Sequence, residues 1–191
     1  MKKITLYSII LSFVITLIGC SSSVQRHIKD YNDNDIVAIV RDKEITVGEL
    51  RFLYSDEDVL ENIEGTIKLE LMLQDAKRMN LDVSDDIHSQ REAMLMLPLK
   101  DKDDPIGNSI GKFVDSQAQK FGMKPEAYYK EYVEIRSEQI AYMNAYMQKM
   151  FGKPNGFNEE ELEIYNKTAN DFLNELVKKH ETEIEIRMKE F

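Results

Sequence analysis

The stretch of residues 35–83 constrains the fold most, because it carries signals for a strand, a turn and two helices in one run. Ile36–Val40 is short, apolar and rich in β-branched residues, which indicates a buried strand. The four polar residues that follow predict a turn. Thr46 and Glu49 stand at the spacing of a capping box, in which each side chain accepts a hydrogen bond from the other residue's backbone N–H. A helix is therefore expected to begin at Val47.

Helical patterns account for most of the remaining chain. Apolar residues recur at three- and four-residue spacing through five further segments, and glycine or proline marks several of their ends. The predicted helices cover residues 56–80, 85–97, 109–121, 125–151 and 158–179. Ser84 is the expected N-cap of the second of these helices. The chain is therefore predicted to fold as a mostly helical domain.

The order of strand, turn, capped helix, long helix and Leu-Asp-Val-Ser exit resembles the N-terminal domain of the SurA and PrsA class of extracytoplasmic chaperones. The residues that carry the resemblance are Val37, Ala38, Val40, Ile45, Thr46, Glu49, Gln74, Ala76, Val83 and Ser84. The sequence departs from the class at both turns, where Arg41-Asp42 replaces Asn-Gly and Asn80 replaces Gly. These changes are mild, because Asp and Asn tolerate turn geometry. The start of the predicted helix 125–151 also resembles the class.

The resemblance implies how the two ends of the domain meet. In that class a closing helix and strand fold back onto the N-terminal domain. Residues 184–188 alternate apolar and charged side chains, as a half-buried strand does, so we expect them to pair with Ile36–Val40. The expected fold is thus a mostly α, SurA/PrsA N-terminal-like domain over residues 36–191, with a small β pairing between its N-terminal and C-terminal strands.

Residues 1–19 have the composition of an export signal, with two lysines followed by an apolar run that is short for a membrane span with flanks. Leu17-Ile18-Gly19-Cys20 resembles the bacterial lipobox, in which the cysteine is diacylated and becomes the first mature residue. An ordinary signal peptide and an uncleaved anchor are the alternatives. The lipobox resemblance implies that Cys20 is the lipid attachment site, at the extracytoplasmic face of the cell membrane, where two acyl chains suffice for stable anchoring.

Residues 20–35 are polar, lack periodicity, and predict a flexible tether that reaches up to about 50 Å. Without Lys2 and Lys3 the chain has 23 basic and 35 acidic residues, a formal net charge of −12. Such a surface repels phosphate backbones, which argues against nucleic-acid binding. Because Cys20 is the only cysteine, no disulfide is expected.

Catalytic and metal-binding signals are weak. His27, His88 and His180 are scattered, and no hydrolase, metalloprotease or nucleotide-binding motif is present. The acidic residues of 30–35 and 101–104 lack the glycine and terminal glutamate of a calcium loop. Relatives such as PrsA carry a prolyl isomerase domain before the closing helix, but only six residues stand there in this chain. We expect no enzyme activity, cofactor or bound metal.

Binding of polypeptides is the function that remains. Ten methionines and nine tyrosines, with no tryptophan, fit an adaptable apolar surface, although such residues at helical spacing are usually core. The candidate client-binding residues on the predicted helix 125–151 are Tyr128, Tyr132, Tyr142, Met143, Tyr146 and Met147. The expected function is a lipid-anchored chaperone or foldase for unfolded or newly exported polypeptides. A dedicated adaptor for one partner and a degenerate prolyl isomerase are the alternatives.

Overall fold

The structure is a computed structural model that describes residues 28–97, 104–152 and 159–188. Within these ranges the helices are α1 (Val47–Leu53), α2 (Ile63–Arg78), α3 (Ser84–Leu95), α4 (Pro105–Lys120), α5 (Pro125–Phe151) and α6 (Glu159–Lys179). The strands are β1 (Ile36–Val40), β2 (Lys43–Thr46) and β3 (Ile184–Ile186). This confirms the predicted fold class, mostly helical with a small β pairing.

The three strands form one antiparallel sheet in the order β2-β1-β3. Val40 pairs with Ile184, and Ala38 pairs with Ile186, so the predicted meeting of the N-terminal and C-terminal strands is confirmed. The sequence did not predict β2. The turn was predicted over four residues but contains only Arg41 and Asp42, with Arg41 at a left-handed φ of 56°. The two polar residues after it, Lys43 and Glu44, therefore belong to a strand that pairs with β1.

The Arg41 side chain holds this end of the sheet together and is only 7% exposed. Its guanidinium lies 2.7 Å from a Glu183 carboxylate oxygen and 3.0 Å from an Asp75 oxygen. It also donates to the Gln74 side-chain oxygen at 3.2 Å and lies 3.4 Å from His180 Nδ1. We call these five residues the Arg41 clasp. The clasp links the β1–β2 turn, α2 and the segment between α6 and β3.

Replacing Glu183 with glutamine is expected to flatten the acid limb of the stability curve. Hydrogen bonds with His180 and Arg41 lower the pKa of Glu183 from 4.5 to about 2. Because the folded-state pKa lies below the unfolded-state value, this stabilisation is complete above about pH 4.5 and is lost as the pH falls towards 2. Urea midpoints across that range should therefore fall less steeply in E183Q than in the unsubstituted protein. Equal slopes would contradict the role of this carboxylate.

The local helix signals were reliable at α1 and α5 but misplaced the start of α4. The capping box of Thr46 and Glu49 is formed, and α1 begins at Val47 as predicted. The bounds of α5 agree with the prediction. For α4, Asp104 caps the N-terminus and Pro105 is the first helical residue, so the helix begins four residues before the predicted start.

Two further predicted helix starts are wrong. The helix predicted from residue 56 begins at Ile63, because Ser55 and Asn62 hydrogen-bond Asp58 and hold the preceding residues in successive turns. The N-cap of α3 is Val83 rather than Ser84. Ser84 lies inside the helix, where its N–H and hydroxyl donate to the Asp82 carboxylate.

The predicted tether is too long, because its second half belongs to the folded domain. Ile28 is 3% exposed in the core beside β1. Gly48 N–H donates to the Asp33 carbonyl at 2.8 Å, and a Cβ at Gly48 would lie only 3.0 Å from that oxygen. Arg51 also pairs with the Asp33 carboxylate. The predicted signal peptide, the lipid attachment site at Cys20 and the remaining tether lie outside the described residues.

The core has three parts. The sheet packs on α1, α2 and α6, a second cluster joins α4 to the first half of α5, and a third joins α2 to the second half of α5 and to α6. In the part of the chain that the structure describes, no helix combines the length and apolar character needed to cross a membrane. The third cluster adjoins the candidate site.

Candidate binding groove

A groove opens between the second half of α5 and α6, with α2 at its base. Its volume is about 470 Å³. It is lined by Met72, Met143, Asn144, Met147, Gln148, Gly152, Tyr165, Asn166, Ala169 and Leu173. We call it the methionine groove.

Side-chain sizes along α6 account for the open space. Tyr165, Ala169 and Leu173 follow one another at four-residue spacing and therefore share one face of the helix. The small Ala169 side chain leaves room between two larger ones. Beside the groove, Phe151 of α5 meets the ring of Phe172 edge-on at 5.0 Å, which holds the two helices together through aromatic contact.

Among the described residues that line the groove, none has a charged side chain. Three methionines supply flexible, polarizable apolar surface, and the amides of Asn144, Gln148 and Asn166 stand among them. An amide side chain both donates and accepts hydrogen bonds, so it can pair with either polar group of a peptide backbone. The groove therefore suits an apolar side chain together with neutral backbone, rather than an ion.

A polar cleft lies on the other side of α5, between that helix and α3. Its volume is about 600 Å³, and we call it the acidic cleft. Its lining is Leu81, Asp82, Asp86, Gln90, Asn144, Ala145, Gln148 and Lys149. Hydrogen bonds from the backbone N–H and hydroxyl of Ser84 lower the pKa of Asp82, which keeps that carboxylate ionised. Asn144 and Gln148 line both the cleft and the methionine groove.

Two of the six residues predicted for client binding, Met143 and Met147, line the groove. Tyr142 does not line it; it packs against the third core cluster, and its ring lies 5.2 Å from the Lys77 ammonium. A hydrogen bond with Glu138 raises the pKa of Lys77, so this ammonium stays charged.

The other three predicted residues belong to the core clusters or pack against them. Tyr128 is 0% exposed, and its hydroxyl donates to the Phe52 carbonyl at 2.7 Å. Tyr146 is 2% exposed, and burial raises the pKa of both phenols. Tyr132 is half-buried, with its ring 5.6 Å from that of Phe113. Only some of the six candidates were expected to line an open groove, and Tyr128 and Tyr146 are instead covered, the former by α1 and α4 and the latter by α2 and α6.

The sequence did not identify the opposite wall of the groove. Tyr165, Ala169 and Leu173 recur at four-residue spacing within the predicted helix 158–179, but they were not among the candidate binding residues. A small alanine between two large residues at that spacing was the available signal. No sequence signal indicated that Asn144 and Gln148 line a site, because polar residues on a helix usually face solvent.

A second apolar cavity, of about 480 Å³, lies between β2, α1, α2 and α5. Charged side chains of Lys43, Glu49 and Glu70 contribute to its lining, and Lys43 pairs with Glu49. These charges make it a poorer match for varied apolar segments than the methionine groove.

Among the described residues, no group of three or more histidine, cysteine or acidic side chains is arranged to hold a metal ion. Comparisons of the chain with protein-family models, curated proteins and solved structures give no match. The functional proposal therefore depends on the sequence and on the geometry of the groove.

Proposed function

We propose that the protein is a lipid-anchored extracytoplasmic chaperone of the SurA/PrsA N-terminal type, which binds unfolded or newly exported polypeptides and has no isomerase activity. The observation that carries this proposal is the methionine groove, an uncharged apolar site whose side-chain amides can hydrogen-bond the backbone of a bound polypeptide. Unfolded chains offer exposed apolar side chains next to unpaired backbone groups, and both find partners there.

Breadth of binding follows from the side chains that form the groove. Methionine has three rotatable side-chain bonds and a polarizable sulfur, so it can repack around ligands of different shape. Met143 and Met147 are only partly covered by neighbouring residues, so their side chains have space to move. The site is thus suited to holding many sequences weakly rather than one sequence tightly.

The proposed anchor places the groove where clients appear. Between Cys20 and the buried Ile28 the chain spans eight residues, which reach about 28 Å when extended. Lipid on Cys20 would therefore hold the domain close to the bilayer. A client emerging nearby meets the groove at a raised effective concentration.

The test is suppression of aggregation for several unrelated unfolded proteins. The double variant M143Q/M147Q keeps side-chain length but removes apolar contact, and we expect it to bind clients about tenfold more weakly. Met96→Gln is the matched control, because Met96 is 82% exposed on a different helix end and should have no effect. Thermal unfolding checks that all variants remain folded.

Equal protection by the unsubstituted protein and the double variant would remove the groove from the proposal. A tight complex with one partner, without protection of unrelated proteins, would indicate the adaptor instead. Catalysed refolding in a proline-limited assay would contradict the absence of isomerase activity.

A further inference from the structure

The methionine groove and the acidic cleft share a wall. Asn144 and Gln148 line both, so the two sites are separated by the width of α5 alone. The groove is apolar, whereas the cleft presents Asp82 and Asp86 against Lys149, the single cation among its described lining residues. A ligand that lies across this part of α5 therefore meets an apolar surface on one side and an excess of negative charge on the other.

We infer that the segments bound here are extended and combine an apolar residue with a lysine or arginine about three residues away. This rests on the proposed function, and it names the class of segment that the groove selects. The apolar side chain occupies the methionine groove, the backbone crosses Asn144 and Gln148, and the cation enters the acidic cleft.

The spacing follows from the size of the helix that separates the sites. An α-helix with its side chains is about 10–12 Å wide. An extended chain advances about 3.3 Å per residue, so about three residues cross it. A helical segment fits less well, because its backbone groups are already paired and would leave the amides of Asn144 and Gln148 without a role.

The charge preference has a defined size. The cleft is open to solvent, and exposed ion pairs contribute little, so a cation should bind only about three- to tenfold more tightly than an anion at the same position. Salt should reduce this preference, because it screens exposed charges. Such a bias is small enough to keep many segments acceptable.

The experiment uses the full chain in a lipid nanodisc, with the methionine methyl groups observed by NMR. The probes are twelve-residue Gly/Ser peptides that contain one leucine and, three positions before or after it, lysine, glutamine or glutamate. We expect the signals of Met143 and Met147 to shift with all three, and affinity to fall in the order lysine, glutamine, glutamate.

Two variants test the cleft from opposite directions. D82N/D86N should remove the difference between lysine and glutamate peptides, whereas Lys149→Met should enlarge it. The amide that D82N introduces retains an oxygen that can accept from Ser84, so the start of α3 is preserved. Asp85→Asn is the matched control, because Asp85 is exposed on the same helix turn but does not line the cleft.

Equal affinity for the three peptides in the unsubstituted protein would overturn the inference and leave the proposed function standing. A preference for lysine that persists in D82N/D86N would overturn it as well. If no peptide, including the glutamine peptide, shifts the two methionine signals, the proposed function fails together with the inference.

Discussion

Replacing Arg41 with methionine is expected to lower the free energy of unfolding by about 3 kcal/mol. Methionine keeps the buried stem but removes the guanidinium, which leaves the largely buried Asp75 carboxylate without its nearest cation. Glu183 keeps His180 but loses Arg41, and with it one of the side-chain contacts that hold β3 against β1. Urea unfolding followed by circular dichroism measures the change.

Arg187→Met is the matched control for this prediction. Arg187 pairs with Glu185 at the surface, and both side chains are exposed, so its removal should have a much smaller effect on the urea midpoint. The Arg41 clasp would be disproved as a stabilising element if the two substitutions had equal effects.

The second large effect is expected at Tyr128. Tyr128→Ala should cost about 4 kcal/mol, because it empties a buried aromatic site between α1, α4 and α5. Tyr128→Phe keeps the ring and should cost about 1–2 kcal/mol, because the Phe52 carbonyl then loses the hydrogen bond that Tyr128 provides at 2.7 Å. Denaturant unfolding of both variants gives the two values.

The pair of Tyr128 variants also separates a core role from a binding role. If Tyr128 is a core residue, truncating it lowers the free energy of unfolding in proportion to the atoms removed. Tyr128→Phe should then leave client binding unchanged. A Tyr128 variant with unchanged stability that fails to protect clients would show instead that Tyr128 contacts clients.

Local signals explain which parts of the fold the sequence could predict. The capping box of Thr46 and Glu49 involves residues three apart, so it forms wherever α1 forms. The proline and glycine that bound α5 act equally locally. The start of α2 could not be read in this way, because Ser55, Asp58 and Asn62 form turns that compete with a helix whose apolar pattern extends through them.

The candidate site was only half predictable, for a reason that lies in α5. This helix carries apolar side chains around much of its circumference, and the sequence shows which residues are apolar but not which neighbour covers each of them. Tyr128 meets Phe52 of α1 and is sealed, whereas Met143 faces α6 across Ala169 and stays accessible. Contacts between distant segments decide this, and no local pattern reports them.

The sheet cannot be completed until the C-terminal strand β3 has been synthesised. Ala38 pairs with Ile186, which is made 148 residues later. At about 5–20 residues per second, that interval lasts roughly 7–30 seconds. During this interval β1 has β2 as a neighbour but lacks β3, so one edge of β1 is unpaired. An unpaired strand edge can pair with other chains, so during its own synthesis the protein is exposed to the aggregation that it is proposed to prevent in its clients.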